Sequence, residues 1–473
     1  MFNRRDTIKI GATAAVALAL PAQRLVGALA GTAAPAEPFT VPLPISPVLK
    51  PVSSNHTGDH YQMVIKPGTA HILAGQATPV LTFNGAFPGP TIRATRGRPT
   101  TVKVNNQLPT PTALHLHGGE VPQDSDGHPL DFIPPGQSRI YRYPNEQPAA
   151  TLWYHDHAHH LEAEQVYRGL SGFYLIDDPR SGLPSGAYDL ALSLRDVAFT
   201  GSGELLWEMG GFRRRTTVLV NGAIQPVHTV ERRRYRLRLL NSSNERIFRI
   251  RLGGATLLQV GVDGGRLPAP IPRDEILLTP AERADVVVDF SRFEDGSSVF
   301  LQNANGDAEA NTNILKFQVT GSRVPDREVP VRTAGAPALP AVPALVTTRK
   351  IAFGFNPKVP EFLINGKTFD PYRVDFTVKQ GSTEIWEIFN DPSPIPIPHS
   401  LHLHLVQFRV LDRNGVPVRA WEAYPKDTVY TAPGETVRIL VTFDSRFTGR
   451  YPFHCHFVDH SSIGMMAQME IVP

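Results

Sequence analysis

The chain has 473 residues, 41% of them hydrophobic and 19% charged, with a formal net charge of +3. That length accommodates two to four domains with cores of their own, and the absence of a basic block or acidic tail excludes a nucleic-acid reader. The 44 prolines and 38 glycines lie without period among short Val/Ile/Leu-rich runs, which points to all-β sandwiches or barrels with frequent turns.

The first segment reads as an export signal. Arg4-Arg5 precede Ile8 and Lys9, an apolar run covers residues 10–21, and small-residue sites follow at Ala28-Leu29-Ala30 and Ala34-Pro35-Ala36. The run is too short to span a bilayer, and no later segment is long enough. The paired arginines resemble a bacterial twin-arginine signal, which carries folded proteins; a basic start to an ordinary secretory signal is the alternative. Residues 1–36 are therefore set apart, and the mature chain is expected in the periplasm or outside the cell, without a stable membrane anchor.

Strand-like alternation dominates the rest of the chain, at residues 62–66, 101–104, 235–240, 284–290 and 437–443. Three Asn-Gly steps, Phe83-Asn84-Gly85, Val220-Asn221-Gly222 and Ile364-Asn365-Gly366, open segments of similar length and rhythm. Alone they are turn signals; together they suggest three related β-domains of about 120 to 150 residues. The expected boundaries are 37–180, 181–323 and 349–473, with the Pro/Ala-rich stretch 324–348 as an extended linker.

Chemistry concentrates in histidine. Of 17 histidines, ten fall in four clusters: His115 and His117; His155 and His157; His399, His402 and His404; His454, His456 and His460. Residues two apart on a strand face the same way, so each His-x-His pair can present two imidazoles to one site. Cys455, the sole cysteine, cannot form an internal disulfide. It stands between His454 and His456 and so faces the other side. There it can join His399, His460 and a weak axial Met465, the two-histidine, thiolate and methionine set of an electron-transfer copper. Zinc fits poorly, because a structural zinc site closes on four ligands. His56, His60, His71 and His228 read as surface or loop residues. His159 and His160 read as outer hydrogen-bond partners or as solvated, and Met63, Met209, Met466 and Met469 as core or filler.

The motifs FNGAFPGPTIR, HLHGG, WYHDH, LVNG, YRLRLLNSS and PAERADVVVDF, with the two C-terminal clusters, resemble the multicopper oxidase family, its bacterial laccases and bilirubin oxidases above all. The resemblance covers nearly the whole mature chain. It implies three cupredoxin-like Greek-key β-domains and four copper ions. His399, Cys455, His460 and Met465 would bind the type 1 ion, and His115 and His402 the type 2 ion. His117, His155, His157, His404, His454 and His456 would bind the type 3 pair. It further implies electron uptake at His460, transfer through Cys455, and reduction of dioxygen to water. Asp126 falls where the family keeps an acid near the cluster, a place for proton delivery; the alternative is a turn residue before Gly127.

The chain departs from the family pattern at three places. Ser400 follows His399 where proline is usual, and Leu405 follows His404 where glycine is common. Ser461 follows His460 where many bacterial members carry glutamate, with Asp459 just before, so the second acid of a proton path is unassigned. Phenols and aromatic amines are the expected reductants. Oxidation of Cu(I), Fe(II) or Mn(II) is the alternative; six methionines and no Met-rich insert argue against a dedicated cuprous oxidase of the Met-rich kind, though not against metal oxidation generally. A copper-free cupredoxin scaffold ranks below both because every expected ligand is there. A monomer is expected.

Overall fold

A computed structural model of the chain describes residues 34–305, 312–332, 335–336, 339, 341–344, 346–359 and 361–473. Most of the export segment lies outside the described residues. Among those described, the chain is built from strands, with short helices at Glu162–Tyr167 and Val458–Ser462, and no helix is long and apolar enough to cross a membrane.

Among the described residues six sheets form three facing pairs, and each pair encloses an apolar core. The first core holds Met63, Ile65, Val102, Val104, Leu116 and Tyr141. The second holds Leu192, Leu237, Val286 and Phe317, and the third Trp386, Val437, Phe453 and Ile471. Period-2 patterning drives this. Thr100–Asn106 alternates buried and accessible positions along its length, as does Phe248–Leu252. This is the expected all-β architecture of three cupredoxin-like units. The linker stretch carries no regular structure at its described residues until the strand Thr347–Asn356 begins.

The Asn-Gly repeat is real in three dimensions. Asn84, Asn221 and Asn365 stand at φ 54°, 51° and 51°, and the glycines after them at 78°, 87° and 72°. Asparagine and glycine tolerate this left-handed geometry, which tight hairpin turns require. Each asparagine Oδ1 accepts a backbone N–H from a neighbouring strand, of Val64 (2.7 Å), Ser193 (2.8 Å) or Ala352 (2.7 Å). Each asparagine N–H then donates to the carbonyl of that same residue. The three stapled strands each run parallel to a later strand of their own sheet. One local device, used three times, marks three copies of one unit.

Candidate metal centre

Two strand pairs carry the imidazoles. Leu114–His117 runs antiparallel to Thr151–Asp156, with His115 opposite His155. His399–Leu403 runs antiparallel to Gly449–Cys455, with Leu401 opposite Cys455 and His402 opposite His454. The first pair belongs to the first unit and the second to the third, and their histidine faces meet. The Nε2 atoms of His157 and His454 are 3.2 Å apart, those of His404 and His454 3.3 Å, and those of His115 and His402 3.5 Å. The His456 ring centre lies 4.8 Å from that of His117 and 5.3 Å from that of His155. All eight imidazoles are buried.

Outer hydrogen bonds decide which nitrogen each ring turns inward. Nδ1–H donates to a carbonyl in His115 (Asp126, 2.6 Å), His155 (Asp156, 2.8 Å), His402 (Asp427, 2.8 Å) and His454 (Cys455, 2.9 Å). In His404 it donates to Asp126 Oδ2 at 2.8 Å. These rings aim Nε2 at the centre. His117 is reversed: its Nε2–H donates to Asp427 Oδ1 at 2.9 Å, which leaves Nδ1 inward. Burial, reinforced by neighbouring imidazoles, holds His155 down to about 3 and His454 to about 4. The rings are therefore neutral, as ligands must be. The inward nitrogens His117 Nδ1 and His155 Nε2 are buried without a hydrogen-bond partner, as are both ring nitrogens of His456. Unpartnered buried nitrogens facing one another fit metal ions at their centre.

Cys455 points the opposite way, as the pleat dictates. Its sulfur lies 3.6 Å from His399 Nδ1 and 3.6 Å from His460 Nδ1, and those two nitrogens are 3.1 Å apart. Met465 is fully buried beside them, its carbonyl accepting the Cys455 N–H. Burial pushes the Cys455 thiol up to about 12, so a thiolate here needs a bound cation. The eight imidazoles thus gather in one group, and His399, Cys455 and His460 in a second beside it.

Asp126 lies both at a turn and against the cluster. It caps the short turn Gln123–Ser125, yet its carboxylate is buried against His404, and burial raises its pKa well above the usual range. Gly127 makes this possible: it stands at φ +75°, and a Cβ there would lie 2.1 Å from the Leu114 carbonyl oxygen. Gly127→Ala is expected to destabilise the metal-free protein by at least about 2 kcal/mol and to pull Asp126 off His404, as urea unfolding would measure. Leu405, at the glycine-favouring position, adopts φ +71° and is held by burial in the third core.

Three functional groups escaped the sequence reading. Glu162, fully buried, places Oε2 2.5 Å from His157 Nδ1 and accepts the Ser461 hydroxyl on Oε1 at 2.5 Å. A carboxylate therefore does reach the cluster, from the first unit's helix. Arg283, from the middle unit, binds both oxygens of Asp427 (2.7 and 2.6 Å) and also the Thr151 carbonyl, so all three units brace His117. Its backbone N–H donates to Asp263, which Lys426 pairs at 2.8 Å. Glu245 stands 3.9 Å from His460 Nε2. Met209 is no core residue but 40% exposed. His160 donates Nδ1–H to the Ser462 carbonyl at 2.9 Å, and the His159 ring lies against it. His56 and His71 are exposed, and His60 and His228 half-buried.

The comparisons agree with this geometry. Sequence models described as multicopper oxidase match residues 64–181, 151–322 and 339–473. A laccase of Bacillus subtilis is 35% identical, with 92% of this chain and 98% of that one covered. A bilirubin oxidase of Albifimbria verrucaria is 33% identical, over 91% of this chain and 80% of that one. The crystal structure of a laccase from Pediococcus acidilactici superposes with a TM-score of 0.85 at 32% identity, covering 93% of this chain and 95% of that one. With the eight inward imidazoles and the outward thiol in place, the conclusion is plain: the chain belongs to the multicopper oxidase family.

Proposed function

We propose that this oxidase couples one-electron oxidation of phenols or aromatic amines to reduction of dioxygen, with four copper ions held as the resemblance implies. His399, Cys455, His460 and Met465 would hold one ion and His115 and His402 a second. His117, His155, His157, His404, His454 and His456 would hold the remaining pair. The single observation that carries this reading is the strand Gly449–Cys455 and its next residue, which turn one sulfur toward His399 and His460 and two imidazoles toward the cluster. Bound copper supplies the one-electron chemistry that side chains lack, four electrons and four protons converting one dioxygen to two waters.

The protein's own residues position and protonate. His460 offers its Nε2 edge to the reductant. Cys455 is covalently continuous with His454 and His456, so one run of backbone joins the two groups. Asp126 and Glu162 are carboxyls that burial keeps protonated beyond their usual range, in contact with His404 and His157 respectively. They can release protons toward the cluster while excluding bulk water. We assign residues 1–36 to twin-arginine export and the three units to 37–180, 181–323 and 349–473, joined at the linker 324–348. The mature protein would work as a monomer in the periplasm or outside the cell. N-terminal sequencing of the exported protein checks the first assignment.

Metal analysis with an absorption spectrum, followed by oxygen uptake on a phenol, bilirubin, Cu(I), Fe(II) and Mn(II), tests the reading. Four coppers per chain, a blue band and saturable phenol turnover are expected. Saturable turnover with metal ions alone would establish a metallo-oxidase instead.

Glu162 has its own test. Glu162→Ser is expected to lower copper retention and turnover about tenfold to a hundredfold, since His157 loses the group that fixes its ring. Because Ser461 Oγ touches the same carboxylate, adding Ser461→Glu should return a carboxyl to that cavity and recover much of the loss. Equilibrium copper competition measures both, and a double variant no better than the single one would refute the idea.

A further inference from the structure

The strand Arg234–Asn241 sorts its residues by period two. Tyr235, Leu237 and Leu239 enter the core of the middle unit, so Arg234, Arg236 and Arg238 leave by the other face. There they wall a cleft of about 890 Å³, which Arg93 and Ile176 of the first unit and Asp326 and Arg327 of the linker complete.

Seven arginines and four aspartates line this cleft, and the aspartates are already taken. Asp177 and Asp189 are shared by Arg93 (2.7 and 2.9 Å) and Arg238 (2.9 and 2.7 Å). Asp326 accepts the backbone N–H of Arg234 at 2.6 Å and its Nη1–H at 2.8 Å. Asp178 gives its two oxygens to Arg180 at 3.0 and 3.1 Å.

Three other arginines keep donors to spare. Arg236 is 6% exposed; its Nη2 meets Asp285, but its Nε–H is buried without a hydrogen-bond partner. Arg233 lies flat on the Tyr188 ring, 3.7 Å from its centre, and its Nε–H is equally unmet. Its carboxylate neighbour Glu231 is 3.9 Å away, beyond hydrogen-bond reach. Arg327 is exposed, and among the described residues no carboxylate pairs with it. Positive charge is therefore in surplus. Burial first, and then the charge of Arg236, push the Arg266 guanidinium in the same lining below its usual range.

We propose that this cleft binds a small molecule carrying two linked phosphoryl groups, held by Arg233, Arg236 and Arg327. Guanidinium N–H groups and phosphoryl oxygens form charge-assisted hydrogen bonds, and a buried unmet N–H gains most from one. The donors come from a strand, from the turn before it and from the linker. Tetrahedral phosphoryl oxygens can meet donors arriving from several directions, whereas a carboxylate offers two oxygens in one plane. The volume falls within the range of roughly 300–1,000 Å³ of small-molecule sites, more than one lone phosphate fills. None of the lining residues belongs to either histidine group, so the site is separate from the metal centre.

Calorimetric titration of the copper-loaded protein with pyrophosphate, inorganic phosphate and malonate tests the assignment. Pyrophosphate is expected to bind once per chain with Kd below about 1 mM, about tenfold or more tighter than phosphate, and to weaken as NaCl is raised. Arg236→Gln also strips Asp285 of its partner, so Arg233→Gln and Arg327→Gln carry the test. Each should weaken pyrophosphate about tenfold, with copper content and circular dichroism as controls for folding. Pyrophosphate should also raise the thermal midpoint of the unaltered protein and leave that of the double variant in place. Absence of binding would overturn the proposal, as would equal heat from the unaltered protein and the double variant, the mark of copper chelation. Phosphate or malonate binding as tightly as pyrophosphate would overturn the ligand class.

Discussion

Cys455→Ser is expected to remove the blue absorption and to reduce turnover below about one-thousandth, while leaving the copper held by the eight imidazoles bound. Serine is a hard, weakly acidic hydroxyl, and only the soft thiolate joins two imidazoles in this kind of copper site. The sulfur is fully buried, 3.6 Å from both His399 and His460. A buried hydroxyl in its place costs about 1–3 kcal/mol, which a protein of this size tolerates. The eight imidazoles on the other side of the sheet are untouched, so the remaining ions should stay. Copper analysis, circular dichroism and oxygen uptake check the three parts. A serine variant that still consumes oxygen at the normal rate would refute the role given to Cys455.

Copper-free protein is expected to unfold in mild acid where the loaded protein does not. Burial holds His155, His157 and His399 down to about 3 and His454 to about 4. The other six cluster histidines are lowered too. In the unfolded chain a histidine takes a proton near pH 6.5. Above that value both states are neutral and nothing is lost. Below it the unfolded chain binds protons that the folded chain refuses, so stability falls as pH drops from 6.5 toward 4. Each histidine contributes up to about 1.4 kcal/mol per pH unit. Buried carboxyls shifted upward, Asp126, Asp156 and Glu162 among them, act in the opposite direction. They are fewer, and a net loss on the order of 4 kcal/mol per unit remains. Urea midpoints at pH 7, 6 and 5, with and without copper, measure it; a flat midpoint for the stripped protein would refute it.

The metal site was legible because strand geometry writes it into local spacing. Two residues apart means one face, and His454-Cys455-His456 therefore announces two sites on opposite sides of one strand. The three-unit fold was legible for a related reason, since each Asn-Gly turn is a short-range signal. Glu162, Arg283 and Glu245 left no such trace. Arg283 and Glu245 stand in the middle unit, with separations such as 144 between Arg283 and Asp427, and no periodicity links positions so far apart. Glu162 is close to His157 in sequence, but it opens the helix Glu162–Tyr167 and so falls outside the strand's two-residue rhythm. Asp459 invited attention as an acid beside His460, yet Arg215 and Gly210 occupy it from the middle unit. Met209 was misread because one methionine in a glycine-rich loop carries no pattern to separate core from rim.

Arg283 also bears on the order in which the molecule can be made. His117 and the Asp427 that orients it are 310 residues apart, and the last imidazoles come near the C-terminus. Ions gripping both ends of so long a loop act as a clasp, closing off conformations that the free chain would otherwise explore. No nascent fragment has that grip, because the brace arrives with the middle third and the final strand pair with the end. Filling the site is thus an event that waits for the final strand pair, and it locks a chain whose three units have already met.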